Sequence, residues 1–484
     1  MEVRYLRIIG FSRLVGSNLV MTQDELIAQW MNKQEYLEGS DPVVELTQAR
    51  EEGRDITSIE ADFLDHIKLK KQGSPDVAWH WRAAELCDEV QDLPMAESYA
   101  YIEPSDLSAI RDVSKNSSVN EYKSSQSELL RRLHGGLLGR ICGCMLGKPF
   151  ELWHRAEIQF WCEETGNWPI VDYVREPNDS ERAEIAKKSK RSTLGWAGNW
   201  TREKLACAVE DDDINYTIAG FDLVKSYGVD FRSVDVAEYW CKNLPIFNLF
   251  TAERVAYRNF VMSIMPPDSA THRNPYREWI GAQIRADAFG YLNPGNPTRA
   301  SEWAWRDASI SHIKNGIYGE MWVAAMLASA YVLSDFEEII LAGLAQIPTQ
   351  SRLHEAIVHI VKAKREVKSY EEAVEMVHNR WDEKTAHGWC HTISNAQVVA
   401  IALLWGEGDF GLTISRAVMP GFDTDCNGAT AGSVWGIVNG VDAIPEHWSG
   451  LFNDLMKSQL LHWRELKISD LAHQMATLAF ELRH

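Results

Sequence analysis

Two segments of this chain crowd carboxylates in a way that demands a counter-charge. Gly421-Phe422-Asp423-Thr424-Asp425-Cys426-Asn427-Gly428 sets two acids two residues apart, behind a glycine, at the mouth of a small-residue run that reads as a helix. Upstream, Glu210-Asp211-Asp212-Asp213 stands just ahead of an amphipathic stretch. Like charges so placed repel unless something neutralises them, and carboxylates from two distant segments form the oxygen-rich donor set of a hard divalent cation. Taken alone, the upstream acids have a competing reading as an acidic helix cap. Asp213 would then be the capping residue, and the dipole of a helix starting near Ile214 would favour the charge. The two clusters together favour a metal site.

Helices must position these acids. Ile214, Ile218, Phe221 and Val224 recur at helical spacing, and Gly228 can end that helix. Gly316 to Leu333 and Ala396 to Trp405 are apolar and alanine-rich, as buried helices are. Two glycine ladders stand beside the acids: Gly135, Gly139, Gly143 and Gly147, and Gly428, Gly432, Gly436 and Gly440. A glycine inside a helix costs about 1 kcal/mol relative to alanine, so four on one face need compensation from close backbone approach. The two ladder helices are expected to cross near the site without having to touch each other. Strand and helix do not alternate regularly, and Val171 to Val174 and Leu194 to Trp200 read as loops or short strands. The fold class is all-α, a helical bundle.

The first ~125 residues read as a separate helical accessory region, residues 1–125, with no catalytic signature. Ser74-Pro75-Asp76 is a helix start, followed by Val77, Trp81, Leu86 and Val90 at roughly helical spacing. Ile59, Phe63 and Ile67 make a second stripe. The polar, serine-rich run from Lys115 to Gln126 reads as a linker, and residues 127–484 form the main domain.

Composition excludes several classes. A net charge of -20 argues against binding nucleic-acid backbones or anionic membranes. No apolar run reaches spanning length, and Arg4, Arg7 and Arg13 break any signal-peptide core. Eight scattered cysteines do not form a disulfide scaffold, which suits a reducing cytoplasm. Cys142 and Cys144 are the only close pair, so zinc-finger spacing is absent. The chain offers no P-loop, no dinucleotide fingerprint and no clear nucleophile triad.

The order of motifs resembles the ADP-ribosylglycohydrolase family, which includes the dinitrogenase-reductase-activating glycohydrolase and the ADP-ribosyl-acceptor hydrolases. The segment from His134 to Glu151 (HGGLLGRICGCMLGKPFE) is similar to the family's first helix with its glycine, proline and glutamate. Glu210 to Asp213 resembles its Thr-Asp-Asp-Thr element, and Gly421 to Asp425 its Gly-Gly-Asp-Thr-Asp element. Gly281-Ala-Gln-Ile-Arg285 resembles a glycine-rich segment near the ligand phosphates, and Ser311-His312 a later Thr-His. The match spans roughly Ser127 to the mid-440s.

That resemblance implies an all-α fold holding two magnesium ions, or manganese in some members, on the ribose hydroxyls. Asp211, Asp212, Asp423 and Asp425 would be metal ligands, with Glu210 and Cys426 at neighbouring ligand positions. Glu151 would be a ligand or the acid/base at the ribose, and Asp212 is counted with it as catalytic. Gly281, Arg285, His312 and Asn427 would touch the substrate, and a cation fork at Arg285 suits a phosphate. Glu210, Asp213 and Cys426 depart from the family's threonine or serine. The first two add charge, and the third puts a soft thiol where magnesium prefers oxygen. His391 and Asn395 read as capping or packing residues, with site lining second. Trp389 or Trp196 could stack on a nucleobase.

Three functions remain open from the sequence. The leading one is metal-dependent cleavage of a ribosyl bond, releasing ADP-ribose from a modified substrate. The alternatives are hydrolysis of a smaller N-riboside such as a nucleoside, and a non-catalytic ADP-ribose-binding module.

Overall fold

Glycine spacing brings two helices to backbone contact. The first ladder helix, Gln126–Gly147, starts at Ser125, whose hydroxyl accepts the Glu128 N–H. The second, Thr424–Asn439, runs antiparallel to it: Gly143 meets Gly428, Gly139 meets Gly432 and Gly135 meets Gly436. A methyl group on Gly143 would stand 1.9 Å from the Gly428 carbonyl oxygen, and one on Gly139 would stand 2.2 Å from that of Gly432. No side chain fits there. The expectation that the ladder helices need not touch is therefore corrected, because each ladder is the other's compensation. At the site end, Thr424 Oγ1 donates to the Gly147 carbonyl at 2.9 Å. This closes the zipper beside both acid-bearing loops.

The computed structural model describes residues 41–72, 77–189 and 193–483. The Ser74-Pro75-Asp76 helix start and the Arg4, Arg7 and Arg13 stretch lie outside these residues, and the Trp196 side chain is not among those described. Among the described residues there are 22 α-helices and one two-stranded antiparallel sheet, Leu455–Lys457 with Glu465–Lys467. The fold is all-α. The apolar runs are the helices Lys314–Ala330 and Thr392–Trp405, and both are buried along nearly their whole length. A helix that is apolar all round needs neighbours on every side. Val171 to Val174 is irregular, and Gly195–Trp200 is a short 3-10 turn. No described helix is long and apolar enough to cross a membrane.

The chain divides into two compact units. One comprises residues 1–100, 232–277 and 309–313; the other comprises 101–231, 278–308 and 314–484. In the first unit, the helices Pro42–Glu51, Glu60–Gln72 and Val77–Gln91 enclose Leu46, Ala49, Phe63, Leu86 and Val90. Trp81 departs from the expected stripe and is 62% exposed. Arg277 is buried in this unit on Glu45 and Glu52, at 2.7 and 2.9 Å. Both ladder helices and both acid segments belong to the second unit.

Candidate metal centre

Asp211, not Asp213, caps the helix Asp212–Tyr227: its Oδ1 accepts the Asp213 N–H at 2.9 Å. A cap must precede the first helical residue, and Asp213 already lies inside the first turn. The Asp213 carboxylate is fully buried and turns to Arg140, which reaches its Oδ1 at 2.8 Å and its carbonyl at 2.9 Å. Arg140 comes from the first ladder helix and also meets Asp287 at 2.8 Å. The other oxygen of Asp211 takes the ammonium of Lys148, which sits 5.1 Å over the Trp200 ring. Sequence reasoning passed over Arg140 and Lys148. The available signal was a cation within the otherwise small and apolar stretch from Gly135 to Gly147, and a second one just before Glu151.

The second acid segment is a tight turn held from three sides. Gly421 and Phe422 both take positive φ, +78° and +59°. A Cβ at Gly421 would also collide with the Glu383 carboxylate. A non-glycine residue in this region costs on the order of 1–3 kcal/mol, and the buried Phe422 ring, tilted against His378 with centroids 4.8 Å apart, helps to hold it. Glu383 accepts the Arg155 N–H at 3.0 Å and that of Phe422, joining the turn to the segment after Glu151. Asn395 Oδ1 accepts the Asp423 N–H at 3.0 Å and Asn427 Nδ2 at 2.8 Å. Asn395 thus sets the direction of the Asp423 turn, a larger part than capping alone. His391 does cap its helix, with Nδ1 accepting the Ile393 N–H at 3.1 Å.

Glu151, Asp211, Asp212, Asp213, Asp423, Asp425 and Cys426 lie within electrostatic reach of one another, around two tighter triads. Asp423, Asp425 and Cys426 bring one donor atom each within 4.8 Å of one another, as do Cys144, Asp211 and Asp213. Burial first, then the neighbouring carboxylates, pushes Glu151, Asp212 and Asp423 well above the ordinary carboxylate range. Burial and the charge of Asp211 raise Asp425 to about 6. Asp425 Oδ1, Asp213 Oδ2 and Asn427 Oδ1 are buried without a hydrogen-bond partner among the described residues. Buried oxygens are rarely left so, and a cation would both satisfy them and relieve the repulsion. The donor set is mostly carboxylate oxygen and fits a divalent ion; Cys144 and Cys426 are its soft members.

The remaining expected residues lie elsewhere or are engaged. Glu210 accepts Asn215 Nδ2 at 3.0 Å on its own helix. Arg285 is buried on Asp307, with Glu320 at 3.6 Å, and donates to the Gly281 carbonyl at 3.3 Å. Its donors face the chain's own acceptors, so this geometry does not offer the expected phosphate fork. His312 belongs to the first unit, fully buried, with Ser311 Oγ at 2.8 Å and Glu253 at 3.9 Å. Trp389 is half-buried, and its Nε1 has no hydrogen-bond partner among the described residues.

A solved ADP-ribosylglycohydrolase-related protein complex is similar to this chain at 17% identity and TM-score 0.47, covering 74% of this chain and 100% of its own. No curated protein matches. The family description that matches residues 125–480, most of the chain and all of the acid cluster, is ADP-ribosylglycohydrolase; the chain belongs to that family.

Proposed function

We propose that this protein is a divalent-cation-dependent glycosidase that cleaves a ribosyl bond, releasing ADP-ribose from a modified substrate. The observation that carries this reading is the convergence of buried carboxylates from two helix starts, with oxygens left unpartnered. Asp423 and Asp425 would hold the ion, magnesium or manganese. Such an ion supplies Lewis acidity that orients a ribose diol and lowers the pKa of water.

The chain's own residues would move the protons. Glu151 and Asp212 are only partly buried, unlike Asp211 and Asp213, so a ligand can reach them. Burial and the neighbouring carboxylates push both groups well above the ordinary carboxylate range, the direction a general acid needs. One carboxyl protonates the leaving group as the anomeric bond breaks. A carboxylate takes the proton from the water that attacks the same carbon. Asn395 and Glu383 fix the turn that presents Asp423.

Replacing Asp423 and Asp425 together by alanine is expected to abolish magnesium binding and turnover while circular dichroism keeps its helical signal. Undiminished turnover in that variant overturns the reading. The engagement of Arg285 supports a second reading, a smaller N-riboside with no diphosphate to hold. A panel of nucleosides and ADP-ribose conjugates separates the two. Tight ADP-ribose binding with no turnover of any conjugate would favour a binding module instead.

A further inference from the structure

The two acid segments differ in how much charge they still need. Asp211 has both carboxylate oxygens engaged, Oδ1 by the Asp213 N–H and Oδ2 by the Lys148 ammonium. Asp213 is paired through Oδ1 with Arg140. On the Asp423 side, neither Asp423 nor Asp425 has an ion pair among the described residues, and Lys148 acts on Asp425 through its field alone. Asp425 is 3% exposed, its Oδ1 has no partner among the described residues, and its neighbour Asp423 is a second carboxylate rather than a base.

Lys148 is placed as a fixed cation. It follows directly on the first ladder helix, is buried, packs over Trp200, and lies within electrostatic reach of Glu151 and Asp425 as well as Asp211. A divalent ion on Asp211 would have to share that carboxylate with an ammonium, and the two cations repel. We propose that the Lys148 ammonium takes the place of a second metal ion, so that the centre binds a single divalent cation on Asp423 and Asp425. This rests on the metal-binding half of the function proposed above. It also gives Asp211 a different role, as the anchor of an internal cation.

The test is manganese stoichiometry on the full chain without substrate, read from the electron paramagnetic resonance of free Mn2+ during titration. The wild type is expected to bind one ion and Lys148→Met two. Two ions on the wild type, none on the wild type, or one on a folded Lys148→Met each overturn the proposal. Should Lys148→Met fail to fold, Asp211→Asn decides. It is expected to keep one ion at unchanged affinity, while Asp425→Asn loses at least tenfold. A tenfold loss in Asp211→Asn would make Asp211 a ligand and sink the idea. Because no substrate enters the measurement, a protein that binds one ion yet cleaves nothing keeps this inference and refutes the glycosidase.

Discussion

Asn395 accepts the Asp423 N–H and Asn427 Nδ2 through one amide oxygen, so its removal frees the turn without removing the carboxylates proposed to hold the ion. Asn395→Ala is expected to weaken manganese binding by about 10–100-fold, by calorimetric titration, with the helical signal unchanged. Asp425 carries a pH signature. Its carboxyl is raised from 3.8 to about 6 by burial and by Asp211, so the folded metal-free protein holds a proton that the unfolded chain releases at lower pH. This contribution is therefore present below pH 3.8 and is lost as pH rises through 6. Thermal melts of metal-free protein at pH 5 and 7 should show Asp425→Asn gaining on the wild type at pH 7. An equal difference at both pH values would contradict this. Asp423, Asp425 and Asp211 to Asp213 were legible in the sequence because crowded acids are a local signal. Lys148 and Arg140 were not, because their partners lie 63 and 73 residues away.

At the scale of elements, the glycine ladders were legible as helices in need of close neighbours, since a period of four is visible in one sequence. That each is the other's neighbour was not, because pairing between segments about 300 residues apart leaves no local trace. The position of the cap was misread for a related reason. An acid triplet does not show which of its members stops being helical. The ladder makes a sharp prediction. Gly143→Ala drives a methyl into the Gly428 carbonyl, and overpacking of this kind costs about 1–3 kcal/mol or more. Urea unfolding should show that loss, whereas Gly198→Ala, where the added carbon would stand 3.4 Å from its nearest neighbour and φ is not positive, should be much milder. Equal effects would mean that the helices separate readily.

For the whole molecule, charge and apolar content set the class, and the motif order set the family. The division of the chain was less legible. The unit that contains the first 100 residues also contains 232–277 and 309–313, and a linker-like composition cannot reveal such later insertions. Glu45 and Glu52, the partners of buried Arg277, come from the N-terminal part of that unit. Stripping both carboxylates from a buried arginine costs on the order of 3–5 kcal/mol. A chain beginning at residue 126 is therefore expected to melt below the full chain and to express less in soluble form. A truncated protein as stable as the full one would show that residues 232–277 need no such partner.

Two helices meshed every four residues can register only in steps. One step along either axis is about 6 Å, four residues of 1.5 Å rise, and between steps the backbones collide. Glu151 hangs from one end of this rack, and Asp423 leads into the same end of its partner. A slip to the next notch would carry the glutamate about 6 Å along the axis relative to the aspartates. The acid cluster is thus indexed rather than adjusted: both halves arrive in the same notch, or the proposed cation site does not form.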